Sequence, residues 1–226
     1  MIFHDRAHAG TVLARLLTPY RGRGDVLVLG LPRGGLPVAY QVARELDAPL
    51  DVFIVRKLGV PGQPELAMGA IASGGVRVLN GTIVRALAIP SDVIGRVAAA
   101  EQRELERRET LYRSGEPPLD VSGRIVILID DGLATGSTVR AAVAALRPQG
   151  PAKIVVAVPV AAAETCAEFR DEVDDVVCAA TPEPFFAVGG FYDDFTQTTD
   201  EEVRDLLERA RVERARRREP TPAGRA

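Results

Sequence analysis

The sequence predicts an α/β fold, a doubly wound and mostly parallel sheet with helices on both faces, plus a small hood. Three observations point to it. Short runs rich in β-branched residues recur along the chain and are apolar at successive positions, as in strands covered on both faces. Segments of helical periodicity separate them, so each strand rejoins the sheet through a crossover. Of the 226 residues, 46% are hydrophobic, enough for one sizeable core or a core with a small appendage.

Taken in order, DVLVLGL (25–31) is the first strand and 37–46 the helix after it. LDVFIVRK (50–57) reads as the second strand. The stretch GVPGQPELAMGAIASGGVRVLNG (59–81) is rich in Gly and Pro with two short apolar pieces, which predicts a mobile loop leading into a small hairpin. A helix over 92–112 precedes GRIVILID (123–130), followed by a helix over 137–146 and the strand AKIVVAVPV (152–160). A helix over 161–169 and the strand DDVVCAA (174–180) complete a core unit spanning 1–180, with the mobile segment at 58–81. Residues 181–199 hold four of the seven phenylalanines and form the hood. Thr199 and Glu202 have the spacing of a capping box that opens a last helix. RARRREPTPAGRA (214–226) reads as a disordered end, so 200–226 is a helix plus tail.

Composition excludes several function classes. With 31 acidic against 28 basic residues, no global field recruits nucleic acid or an anionic membrane. No apolar run reaches the roughly 18 residues of a membrane span, and MIFHDRAHAG lacks a signal-peptide core, so a cytoplasmic protein is expected. Cys166 and Cys178 read as buried thiols without metal-ligand spacing. The two histidines, His4 and His8, lie near the N-terminus, which argues against a serine or cysteine triad.

The stretch IVILIDDGLATGSTV (125–139) carries the chemistry. Asp130 and Asp131 end a buried strand, and GLATGST turns into a helix whose N-terminus offers converging N–H groups and a positive dipole end. That suits a phosphate monoester. Thr135, Ser137 and Thr138 add hydroxyl donors, and the carboxylates can accept hydrogen bonds from vicinal hydroxyls of a sugar. Together they describe a ribose 5-phosphate. A helix cap would account for one aspartate but not two, and the Walker lysine is absent.

Strand, DDGLATGST and helix together resemble the phosphoribosyl-diphosphate signature of the type I phosphoribosyltransferases. The resemblance implies a Mg²⁺-dependent displacement at C1 of phosphoribosyl diphosphate by a nitrogen of a nucleobase-like acceptor, releasing diphosphate. It implies that Leu133, Ala134, Thr135, Gly136, Ser137 and Thr138 hold the 5-phosphate, and that Asp130 and Asp131 hold the ribose hydroxyls and stabilise positive charge in the transition state. Arg33-Gly34-Gly35 in GLPRGGLPVA, alone an ordinary turn, resembles the family's diphosphate loop, with Pro32–Arg33 as the bond matching its cis peptide. Arg56 and Lys57 end the second strand, where the family supplies a further diphosphate-binding base; Lys57 is the residue assigned to it. PFFAVGGFYDDF is similar to the hood of the purine enzymes, which implies that Phe186 stacks on the base and that Asp193 lies near the metal. Phe186 could instead only seal a small satellite core.

The chain departs from the hypoxanthine and guanine enzymes at Ala134, where they carry an aspartate, and is closer there to the adenine enzymes. The proton acceptor is then unassigned. Glu65 in PGQPELAMG is the first candidate, because the adenine enzymes similarly draw a glutamate from their mobile loop; Asp193 is the second. A non-catalytic, regulatory nucleotide-binding protein of the same fold is the alternative. Arg33, Lys57 and the mobile loop favour catalysis, since a sensor of nucleoside monophosphate needs no diphosphate cradle. A homodimer is the family's expectation.

Overall fold

A computed structural model describes residues 3–113 and 115–218, with the backbone alone for Pro64, Glu65 and Arg218. Helix α1 (Arg6–Leu16) starts at Asp5, whose carboxylate accepts the His8 N–H at 2.7 Å and caps the first turn. Strand β1 (Val26–Gly30), helix α2 (Gly35–Leu46) and strand β2 (Leu50–Val52) form the first crossover unit. Strands β3 (Val55–Val60), β4 (Gln63–Ala72) and β5 (Val76–Leu79) follow, then helices α3 (Gly81–Ala86) and α4 (Ser91–Arg113). Strand β6 (Ile125–Ile129), helix α5 (Ser137–Leu146), strand β7 (Lys153–Val160), helix α6 (Ala163–Glu172) and strand β8 (Asp175–Ala180) build the rest of the core, and α7 (Asp200–Arg218) closes the described chain.

Five strands form a wholly parallel sheet in the order β2-β1-β6-β7-β8. Both faces are covered, which is why the strands are continuously apolar. Val26, Val28, Ile125 and Ile127 pack with α1, α2, α4 and α7, while Leu27, Leu29, Val126 and Leu128 pack with α5 and α6. The chain leaves β1 toward β2 on one side, and β6 continues to β7 on the other. The carboxyl ends of β1 and β6 therefore border the crevice in which ligands of such sheets bind.

Several expectations need correction. The run 50–57 is two strands: β2 stays in the parallel sheet, and after Phe53 and Ile54 the chain enters a separate antiparallel sheet, β3-β4-β5. A continuous apolar run does not reveal where a strand changes sheets. The stretch 59–81 is mostly strand rather than loop. Its glycines serve a turn at Gly62 (φ 83°) and close strand contact at Gly69, where a Cβ would strike the Val78 carbonyl. The register of β3 on β4 breaks between Gly59, opposite Ala67, and Val60, opposite Gln63, so residues 64–66 bulge. Helices α1 and α3 were not expected. Helix α7 runs on through Arg218 into the supposed tail, where Arg217 donates to the Arg44 carbonyl at 2.8 Å; residues 219–226 lie outside the described chain. Cys166 and Cys178 are joined by a disulfide between α6 and β8 rather than being free thiols.

A buried ion pair fastens α4 to the sheet. Arg113 is 2% exposed and Asp51 4%. The guanidinium donates to Asp51 Oδ1 at 3.1 Å, to the Val52 carbonyl at 2.6 Å and to Glu109 at 2.8 Å, while Asp51 also accepts the Leu119 N–H at 3.0 Å. Removing one partner strands the other without compensation. Arg113→Ala should lower the unfolding free energy by about 3–5 kcal/mol, measured by urea titration. A loss below about 1 kcal/mol would show that the pair is dispensable.

Candidate active site

The loop after β1 and the loop after β6 meet at the crevice, and their contact depends on two residues without side chains. The first loop carries a cis peptide at Pro32–Arg33 and enters α2 through Gly34 and Gly35. A Cβ on Gly34 would overlap the Asp131 carboxylate, and one on Gly35 would lie 2.7 Å from the Ile129 carbonyl and 3.0 Å from Asp130 Cα. Arg33 reaches outward, with Nη1 3.9 Å from Asp200 Oδ1, and Asp200 accepts the Tyr112 hydroxyl at 2.5 Å.

The second loop runs from Asp130 to the start of α5. Leu133, expected among the 5-phosphate residues, is instead a core residue: its side chain is buried, its N–H donates to the Val160 carbonyl at 2.9 Å and its carbonyl accepts the Ala162 N–H at 3.0 Å, so it has no donor left for a phosphate. Gly136 has φ 70°, and a Cβ there would lie 2.5 Å from the Phe169 ring, so the turn is possible only with glycine. Ala134, Thr135, Ser137 and Thr138 are exposed around the N-terminus of α5. The Ala134 carbonyl accepts the Thr165 hydroxyl at 2.7 Å and the Thr135 carbonyl accepts Arg140 at 2.7 Å, so the loop is gripped from behind. The first-turn N–H groups of α5 have no carbonyl within the helix to bond. Lys57 Nζ lies 3.4 Å from Ser137 Oγ, which brings a cation to this loop. Arg56, its neighbour on β3, is engaged with Glu101 at 2.7 Å.

Asp130, residues 132–139 and Val188 line a cleft of about 180 Å³. Burial and the adjacent Asp131 push the Asp130 carboxyl well above the usual carboxylate range. Burial also raises Asp131, but there Arg6 opposes it: Arg6 Nε donates to Asp131 Oδ2 at 2.9 Å. The hood reaches the same place. Tyr192 donates its hydroxyl to the Asp131 carbonyl at 2.6 Å, and Val188 packs so closely on Gly132 that no Cβ would fit there. Burial raises the Tyr192 hydroxyl, which keeps it a donor.

The other expected hood residues stand apart from the cleft lining. Phe186 is 88% exposed, while its neighbour Phe185 stacks on Phe191 at 5.2 Å. Asp193 is exposed, and its N–H donates to the Phe3 carbonyl at 2.8 Å. Glu65 lies in the bulge of β4, and its side chain is outside the described residues. Among the described residues, no group of three or more His, Cys, Asp or Glu is placed to hold a metal on its own. Sequence reasoning missed Arg6, Val188 and Tyr192, and also Thr165 and Phe169 behind the loop. Only the aromatic cluster gave a signal, for Tyr192; Arg6 is 125 residues from its partner.

The chain is similar to known proteins along most of its length. The model of the phosphoribosyl transferase domain matches residues 7–196. A provisionally named phosphoribosyl transferase of Mycobacterium tuberculosis is 49% identical over 209 residues, covering 92% of this chain and 47% of that protein. The chain thus spans about half the length of that relative. A uracil phosphoribosyltransferase of Lactobacillus delbrueckii is 34% identical over 145 residues, 62% of this chain and 66% of that one. The crystal structure of TT1426 from Thermus thermophilus superimposes with a TM-score of 0.83 at 43% identity, covering 92% of this chain and 98% of that one.

The raised Asp130 carboxyl has a consequence for stability. The unfolded chain releases this proton at the ordinary value, whereas the folded chain keeps it to higher pH, so stability falls as pH rises through that interval. Asp130→Asn removes the cost. The variant should melt above the wild type at pH 7, and the gain should shrink as pH is lowered toward about 4. A gain independent of pH, or a loss at pH 7, in calorimetry at both pH values would contradict this.

Proposed function

Because the chain belongs to the phosphoribosyl transferase family, we propose that it transfers the ribose 5-phosphate of phosphoribosyl diphosphate to a nitrogen of a nucleobase-like acceptor, with release of diphosphate. The observation that carries this reading is the junction of the two loops: a phosphate-sized turn and a carboxylate open into one cleft, and a second glycine loop touches them from across the crevice. The relative named as a uracil phosphoribosyltransferase supports the nucleobase class of acceptor.

In this reading the exposed turn 134–138 takes the 5-phosphate on backbone N–H groups and the hydroxyls of Thr135, Ser137 and Thr138, and Lys57 adds charge beside Ser137. Asp130, which lines the cleft, accepts the ribose hydroxyls and places negative charge beside the reacting carbon. Asp131, already joined to Arg6, acts behind it. The Arg33-Gly34-Gly35 loop faces the departing diphosphate. Glu65 takes the proton of the acceptor, and the hood, with Phe186 at its surface, covers the base.

Mg²⁺ belongs to the same proposal, and the donor set fits it. This ion commonly binds one or two carboxylates together with substrate phosphates rather than a cage of protein ligands, and Asp130 is a carboxylate lining the cleft. Asp130 would hold it, with Asp193 as the hood's candidate oxygen. When bound, the ion would neutralise charge on the diphosphate.

Two measurements test the reading. In a screen of nucleobases for diphosphate release, Asp130→Asn should lower kcat/KM about 10- to 100-fold, as expected for a charge-assisted hydrogen bond of about 1.5–3 kcal/mol, and Glu65→Gln should lower kcat by about 10² to 10⁴. Wild-type turnover in either variant removes that residue from the chemistry. In isothermal titration, Arg33→Ala should weaken phosphoribosyl diphosphate more than a nucleoside monophosphate, whereas Lys57→Ala, beside the 5-phosphate turn, should weaken both. Equal losses for both ligands in Arg33→Ala would mean that this cation does not serve the diphosphate.

A further inference from the structure

Arg6 is the first residue of α1, yet it makes three contacts that join the β6 loop to the hood. Its Nε donates to Asp131 at 2.9 Å, its Nη1 donates to the Thr196 carbonyl of the hood at 2.8 Å, and its guanidinium lies 3.9 Å from the centre of the Phe195 ring. The side chain is 11% exposed and its Asp131 partner 17%. It is therefore not one of the exposed ion pairs whose worth is close to nothing. The segment that carries it is itself strapped to the hood. Phe3 forms a parallel bridge with Tyr192, the Phe3 N–H donates to the Phe191 carbonyl at 2.7 Å, and the Asp194 N–H donates to the His4 carbonyl at 2.8 Å. The Asp5 cap then fixes where α1, and with it Arg6, begins.

From this arrangement we infer that Arg6 is a positioning residue: it latches the hood to the carboxylate end of β6 and so holds the hood in place over the acceptor side of the cleft. The inference rests on the phosphoribosyl-transfer reading for what the hood covers, but the latch itself is a property of the fold. The shape of the side chain makes arginine specific to the task. A planar guanidinium can donate along its edge to a carboxylate and to a carbonyl while its face lies on a phenyl ring; a lysine ammonium keeps the charge but cannot make all three contacts at once. The hood's Tyr192 packs in a small cluster with Phe3, Ala9 and Val160, with Phe185, Val188 and Phe191 against it, so the hood stays folded without the latch but is less firmly held. The turn 134–138 makes none of these contacts with Arg6, so the donor's 5-phosphate is held apart from it, while its ribose meets Asp130, which Arg6 reaches only through charge.

The test compares the full-length wild type with Arg6→Gln, Arg6→Lys and Tyr192→Phe, the last removing only the hydroxyl that reaches the Asp131 carbonyl. Hydrogen exchange should quicken in the amides of residues 185–197 in Arg6→Gln, with 26–30 and 125–129 unchanged. With an acceptor found by the diphosphate-release screen, the acceptor KM should rise about 10- to 100-fold in Arg6→Gln and nearly as much in Arg6→Lys, and less in Tyr192→Phe, while the Kd of phosphoribosyl diphosphate rises less than the acceptor KM, because its 5-phosphate turn is held without Arg6. Unchanged hood exchange, full rescue by lysine, or a donor Kd that rises in step with the acceptor KM would overturn the latch. If no nucleobase supports diphosphate release by the wild type, the transfer reading fails, and hood exchange alone decides the role of Arg6.

Discussion

Two carboxylates at the end of a buried strand impose the terms on which the surrounding structure is built. Like charges removed from water repel strongly and lose hydration, so each needs its own accommodation. Asp131 has Arg6 from α1. Asp130 accepts the Asp131 N–H at 2.9 Å and otherwise turns toward the cleft, where its carboxyl is raised by burial and by its neighbour. The crowding continues across the crevice. Gly34 and Gly35 are small because the carboxylates and the end of β6 occupy the space a side chain would need.

The turn beside the carboxylates is shaped from behind rather than from within. Gly136 rests on the Phe169 ring, Thr165 holds the Ala134 carbonyl, and Leu133 pairs with Ala161 at the end of β7. Helix α6 supplies two of these contacts, and the Cys166–Cys178 disulfide ties that helix to β8. The exposed residues of the turn can therefore be small and polar without the turn losing its shape. On the opposite side, Arg33 points toward Asp200 at the start of α7, so the last helix also borders the site.

Much of this was legible in the sequence where the causes are local. Residues 125–139 carry strand, paired acids, small turn and helix start in one contiguous piece, and each has a short-range reason. The five-strand sheet was legible because burial on both faces leaves a run of apolar residues. What was illegible has long-range causes. Nothing near Arg6 announces a partner 125 residues away. The run 50–57 looks the same whether or not the strand changes sheets at Phe53. The glycines of 59–81 signal a loop by composition, but here they permit a hairpin, a bulge and close strand contact. The basic stretch that begins at Arg214 reads as tail, yet Arg217 finds the Arg44 carbonyl and stays helical.

The assignment of the cleft to a ribose 5-phosphate is tested most directly by a crystal structure of the protein with phosphoribosyl diphosphate and Mg²⁺. The 5-phosphate should lie within about 3 Å of the backbone N–H groups of residues 134–138, with the ribose hydroxyls on Asp130 and the diphosphate against Gly34 and Gly35. Density for the donor elsewhere on the molecule, or a 5-phosphate away from this turn, would contradict it.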